Sequence, residues 1–132
     1  MLTSVGLAVL EAIGRPGFLE HVAECGEQFA RGLAQLERHF PIAETRGVGL
    51  LHAIELERPV AETLRDHAMD LGLLVNAAQP NVVRMAPSLR IAHEELETGL
   101  ELLEQALRRC FADLATRAPL GDQRGAATRV EV

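Results

Sequence analysis

The chain has no lysine, no tyrosine and no tryptophan, and its only Phe/Tyr/Trp residues are four phenylalanines. All 13 of its lysine-or-arginine positions are therefore arginine. A guanidinium stays charged at any accessible pH, so no side-chain amine is available to lose a proton and attack a carbonyl. There is no basic block and the net charge is −6, which argues against nucleic acid or an anionic membrane as partner. No apolar run approaches a bilayer span, and no signal-peptide pattern precedes Leu7-Ala8-Val9-Leu10. Cysteine is scarce: Cys25 and Cys110 fall on separate expected helices without metal-ligand spacing between them, and read as buried thiols of a reducing cytoplasm. What remains is 132 residues, 48% hydrophobic, enough for one domain with a real core.

The elements can be taken in chain order. Residues 2–13 are apolar nearly all round, with Thr3 or Ser4 as an N-cap, and predict a helix of the kind normally buried on several sides, which in this chain should leave a sticky apolar patch. Gly14-Arg15-Pro16-Gly17 breaks it. From Phe18 to Phe40, Phe18, Val22, Cys25, Phe29, Leu33 and Leu36 recur every three or four residues and predict a long amphipathic helix. His21 and His39 flank that stripe, with no acidic or histidine partner at metal spacing. Residues 42–57 read as a strand pair relaxed by Gly47 and Gly49. The run Arg46-Gly47-Val48-Gly49 lacks the spacing of a phosphate loop. His52 and Glu55, three apart on a strand, face opposite ways and make a poor acid–base pair.

Residues 60–71 predict a third helix, bounded by Pro59 and Gly72 in the expected asymmetry. Ala92 to Ala112 predicts a fourth, with Leu96, Leu100, Leu103, Leu107 and Cys110/Phe111 inward and Glu94, Glu95 and Glu97 at its start. His93-Glu94-Glu95 has no second histidine four residues on and is not a zincin motif. Beyond Leu114 periodicity stops, and residues 113–132 read as a disordered tail.

Between the last two helices lies Gly72 to Leu89, GLLVNAAQPNVVRMAPSL. Leu73-Leu74-Val75 predicts a strand, Asn76 to Asn81 a turn, and Val82-Val83-Arg84-Met85 a second strand closed by Pro87. Arg84 is a permanent charge among apolar strand residues. It either snorkels to water or waits for an anion, and a guanidinium grips a carboxylate through two parallel hydrogen bonds.

This stretch, with RGVGLLHAIEL at Arg46 to Leu56, resembles the class III pyridoxal-phosphate aminotransferases, and among them the acetylornithine type. The resemblance runs over about residues 2–110. It implies an α+β fold, the small C-terminal domain of a fold-type-I pyridoxal-phosphate transferase, with a mainly antiparallel sheet covered by helices. Residues 1–15 would be a remnant of the large-domain or linker helix and 16–112 the small domain, so that the chain begins inside a larger protein. It also implies a role for Arg84, the residue that matches the family's substrate-carboxylate clamp.

The activity implied is amino transfer between N-acetylornithine and 2-oxoglutarate in arginine biosynthesis, with pyridoxal phosphate as cofactor. The partners implied are the large-domain portion or a second subunit, a small amino-acid or oxo-acid substrate, and a homodimer mate. Ornithine, succinylornithine and 4-aminobutyrate aminotransferases share the Arg84 motif and stay open as alternatives. So does a non-enzymatic module on the same fold that binds a carboxylate or a protein. Covalent attachment of the cofactor needs a lysine, and this chain has none. Catalytic and cofactor-binding residues are therefore not expected within it, and the spacing of its histidines and cysteines predicts no metal ligands.

Overall fold

The computed structural model describes residues 2–117, in the order α1 (Leu2–Ile13), α2 (Phe18–His39), β1 (Ile42–Val48), β2 (Leu51–Leu56), α3 (Ala61–Asp70), β3 (Asn76–Gln79), β4 (Val82–Met85) and α4 (His93–Arg117). The strands form one antiparallel sheet in the order β1-β2-β4-β3. Two short hairpins, β1–β2 and β3–β4, are joined along the β2–β4 seam. Helices α2, α3 and α4 cover one face, giving the expected α+β two-layer arrangement.

The core follows from the two periodicities. On α2, Cys25, Phe29, Leu33 and Leu36 are buried at helical spacing; on β2, His52, Ile54 and Leu56 alternate inward. Val83 and Met85 of β4, Leu64 and Ala68 of α3, and Leu96, Leu103, Leu107 and Cys110 of α4 complete the same cluster. Helix α4 starts with half a capping box, the Ala92 N–H donating to Glu95 Oε2 at 2.9 Å. The β1–β2 turn requires Gly49 at φ +58, and Gly72 past α3 adopts φ +86, both in the left-handed region that glycine enters without penalty.

Two expectations are corrected. First, Leu73–Val75 is not a strand, and β3 is the Asn76–Gln79 segment expected to be a turn. The hairpin turns tightly at Pro80-Asn81, so the ladder runs from Gln79↔Val82 to Asn76↔Arg84. It stops there because β4 ends at Met85, just ahead of Pro87, which has no N–H to donate. Leu73 and Val75 still pack on the core while Leu74 is 83% exposed. Second, α4 continues to Arg117, so residues 113–117 are helix rather than tail. His67 of α3 bonds Asp113 at 3.0 Å and anchors that extra turn. The rest of the expected tail, 118–132, lies outside the described residues. Helix α1 forms as expected and presents the expected apolar patch: Val5, Leu7, Val9 and Leu10 are all more than half exposed.

Candidate functional site

The solvent face of the sheet carries the sequence-predicted site. Cross-strand register sets Arg46, Ala53, Arg84 and Asn76 in one row, since Arg46 pairs with Ala53, Ala53 with Arg84, and Arg84 with Asn76. Residues directly opposite in an antiparallel ladder project to the same face about 5 Å apart. Arg84 is exposed on β4 while its neighbours Val83 and Met85 are buried, so alternation aims the guanidinium away from the core. Leu74, Val75, Asn76, Arg84 and Ala86 line an open cleft of about 330 Å³.

The two arginines of the row differ in what they hold. Arg46 is engaged by Glu44 Oε2 at 2.9 Å and Glu55 Oε2 at 2.8 Å, and Asn81 Nδ2 donates to the other Glu55 oxygen at 3.2 Å. The hydrogen bond from Arg46 holds the Glu55 carboxyl below its ordinary value, and the same bond raises Arg46. Arg84 has no hydrogen-bond or ion-pair partner among the described residues. Ala53, between them, is too short to fill the row. The outer face thus offers one uncommitted cation beside a shallow cleft, able to accept a carboxylate.

The other residues weighed in the sequence fall elsewhere. His52 is buried, donates from Nε2 to the Gly49 carbonyl at 2.9 Å and meets the Phe29 ring edge-on at 4.9 Å, so it fastens the β1–β2 turn to α2. Glu55 points the other way, as expected. His39 sits near the end of α2, with Nδ1 donating to the Gln35 carbonyl at 2.8 Å. Cys110 is buried, and burial first, then Asp113, pushes its thiol up to about 11.

One grouping was not foreseen. His21 and Cys25, one turn apart on α2, meet His93 at the start of α4. The spacing of four between His21 and Cys25 was visible in the sequence. The third member, far along the chain, is brought in only by packing of α4 on α2.

A sequence model of the family "aminotransferase class-III" matches residues 1–107. This chain belongs to the class III aminotransferases. Its similarity to curated proteins is extensive. It is 35% identical to the acetylornithine aminotransferase of Ralstonia nicotianae over 111 residues, covering 82% of this chain and 28% of that protein. It is 38% identical to that of Nostoc sp. over 108 residues, 78% of this chain and 25% of that protein. Among solved structures, N-acetylornithine aminotransferase from Stenotrophomonas maltophilia superposes with a TM-score of 0.77 at 30% identity, over 83% of this chain and 31% of that one. An omega-transferase from Vibrio fluvialis shares the fold, with a TM-score of 0.78 at 23% identity. The chain spans about 28% of the length of the first of these curated relatives.

The family implies pyridoxal phosphate, and the residues here do not fit it by themselves. There is no lysine for covalent attachment. The cleft beside Arg84 supplies one cation and no carboxylate that could pair with a pyridine nitrogen. Among the described residues no helix is long and apolar enough to cross a membrane.

Proposed function

We propose that this chain is the substrate-gripping small domain of a cytoplasmic aminotransferase acting on N-acetylornithine and 2-oxoglutarate, in arginine biosynthesis, and that Arg84 binds the substrate carboxylate. The observation that carries this reading is the uncommitted Arg84 on the open sheet face, in a chain whose relatives are named acetylornithine aminotransferases. A guanidinium whose cross-strand neighbours are an alanine and an asparagine, beside an open cleft, keeps its full hydrogen-bonding capacity for an incoming carboxylate. Arg46 cannot substitute, because Glu44 and Glu55 already occupy it.

On this reading the chain orients substrate and the chemistry is supplied from elsewhere in the assembly. Residues 1–15 belong with the large domain, and the exposed apolar residues of α1 are covered by it or by a homodimer mate. Residues 16–112 form the small domain. Without a lysine the chain alone performs no transamination. The lysine-free composition equally favours a second reading, a carboxylate-binding module that works without catalysis on the same fold.

Calorimetric titration of 2-oxoglutarate into the purified chain tests the shared core of both readings. Weak binding that Arg84→Ala abolishes is expected, because the truncation removes the only free cation of the cleft. Binding unchanged by that substitution overturns the assignment of Arg84. Co-expression with a lysine-bearing large domain separates the two readings: transaminase activity restored in trans supports the enzyme, and a stable monomer that never associates supports the module.

A further inference from the structure

The grouping of His21, Cys25 and His93 has the composition and spacing of a metal centre. Cys25 Sγ lies 3.5 Å from His21 Nε2, and 3.7 and 4.0 Å from the two ring nitrogens of His93. One ligand atom from each of the three falls within 4.8 Å of the others. Zinc bonds of about 2.3 Å to sulfur and about 2.0 Å to nitrogen place the corners of a tetrahedron about 3.5 Å apart. The His21–Cys25 pair is already at that separation. The wider distances close by rotation of His93, whose side chain is half exposed.

The surroundings match what a ligand set needs. His93 Nδ1 donates to Gln28 Oε1 at 2.6 Å, and Gln28 Nε2 donates to the His93 carbonyl at 3.1 Å. Gln28 thereby fixes the His93 tautomer and leaves Nε2 with its lone pair free, which is how outer-shell groups orient metal-binding histidines. Glu24 Oε2 stands 3.8 Å from that same nitrogen and brings negative charge. The Ile91 carbonyl, 2.8 Å from His21 Nε2 and 3.7 Å from Cys25 Sγ, is an oxygen already at the centre. Two imidazoles and a thiolate select a borderline-soft divalent cation over calcium or magnesium, which take oxygen.

We propose that His21, Cys25 and His93 bind a zinc ion, with the fourth position filled by Glu24, the Ile91 carbonyl or water. Binding releases one proton, from the Cys25 thiol, and moves the His21 proton from Nε2 to Nδ1, so that two neutral imidazoles and one thiolate face the ion. The ion ties α2 to the start of α4. It thereby fixes the β4–α4 connection, residues 86–92, which leads directly out of the strand carrying Arg84.

Zinc chloride titrated calorimetrically into the reduced full-length chain is the test, with His93→Ala, Cys25→Ser and, as control, His39→Ala. One equivalent is expected, weakened about 10-fold or more by His93→Ala and by Cys25→Ser and unchanged by His39→Ala. Cobalt in place of zinc should give a sulfur-to-metal charge-transfer band that Cys25→Ser removes. His93 is exposed enough for its truncation to leave the fold intact, which circular dichroism verifies. Absence of a one-to-one site, affinity indifferent to His93→Ala, or cobalt loading without the charge-transfer band would each overturn the proposal.

Discussion

Substituting Gly26 by alanine sets two opposing terms against each other, and the structure decides between them. In an open helix the change stabilises, because alanine exceeds glycine in helix propensity by about 1 kcal/mol. Gly26, however, is buried on α2, and a Cβ built there falls 2.8 Å from the Gly49 carbonyl oxygen and 2.9 Å from its carbon. Those are backbone atoms of the β1–β2 turn, so no side-chain rotation relieves the contact. Either α2 or the turn must move, and overpacking of this kind costs about 1–3 kcal/mol. With contact this close to backbone, the upper part of that range applies, and a net loss of about 1–2 kcal/mol is expected. Gly99 on α4 is the internal control, since its nearest neighbour is Leu73 Cδ1 at 4.0 Å and alanine there keeps the propensity gain. For a chain of 132 residues about 1 kcal/mol moves the thermal midpoint by about 4 °C. Thermal unfolding followed by circular dichroism should therefore place Gly99→Ala above the parent and Gly26→Ala below it, about 10 °C apart. A Gly26→Ala protein as stable as the parent would refute the account of how α2 is seated on the turn.

Other expectations follow from the same packing and charges. Arg46 lowers the Glu55 pKa in the folded state, so the pair stabilises the fold above the ordinary carboxyl value of 4.5 and loses that effect as pH falls through the depressed folded value. Glu55→Gln should therefore be less stable than the parent near neutrality, with the difference in thermal midpoint shrinking towards pH 3; a constant difference would contradict the assignment. Cys110, raised to about 11 and buried, should resist a thiol reagent at pH 8 in the native chain and react at once when unfolded, and rapid native labelling of Cys110 would be inconsistent with its burial. The exposed apolar face of α1 should make the isolated chain self-associate. Leu7→Glu with Leu10→Glu should shift sedimentation towards monomer, and a parent chain already monomeric at high concentration would refute this.

How much of this was legible in the chain depends on what kind of contact each feature needs. The α2 stripe and the α4 stripe could be read because one helix face must be apolar wherever it packs. The mainly antiparallel sheet and the odd charge at Arg84 were legible for the same local reason. The position of β3 was not, because Asn76–Gln79 is an edge strand whose composition is that of a turn and whose pairing is dictated by where β4 ends. The last turn of α4 was missed because its anchor, His67 to Asp113, is tertiary. The exposed apolar face of α1 was legible because a helix apolar nearly all round has more apolar surface than a small domain can cover. Two of the three members of the His21, Cys25 and His93 grouping stood in plain view as a histidine and a cysteine four apart on one helix. The third needed α4 folded back onto α2.

The strand order β1-β2-β4-β3 also shapes how the molecule assembles in time. Each hairpin closes a short loop, one through Gly49-Leu50 and one through Pro80-Asn81, and such closures are fast. The seam that pairs Ile54 with Val83 joins segments separated by the whole of α3, and its loop-closure entropy is lost before any contact across it forms. The two hairpins are therefore expected to form early and independently, and docking along β2–β4 to limit the rate. Truncations at Ile54 or Val83 should slow refolding, whereas truncations confined to the outer edge of β1 should chiefly hasten unfolding.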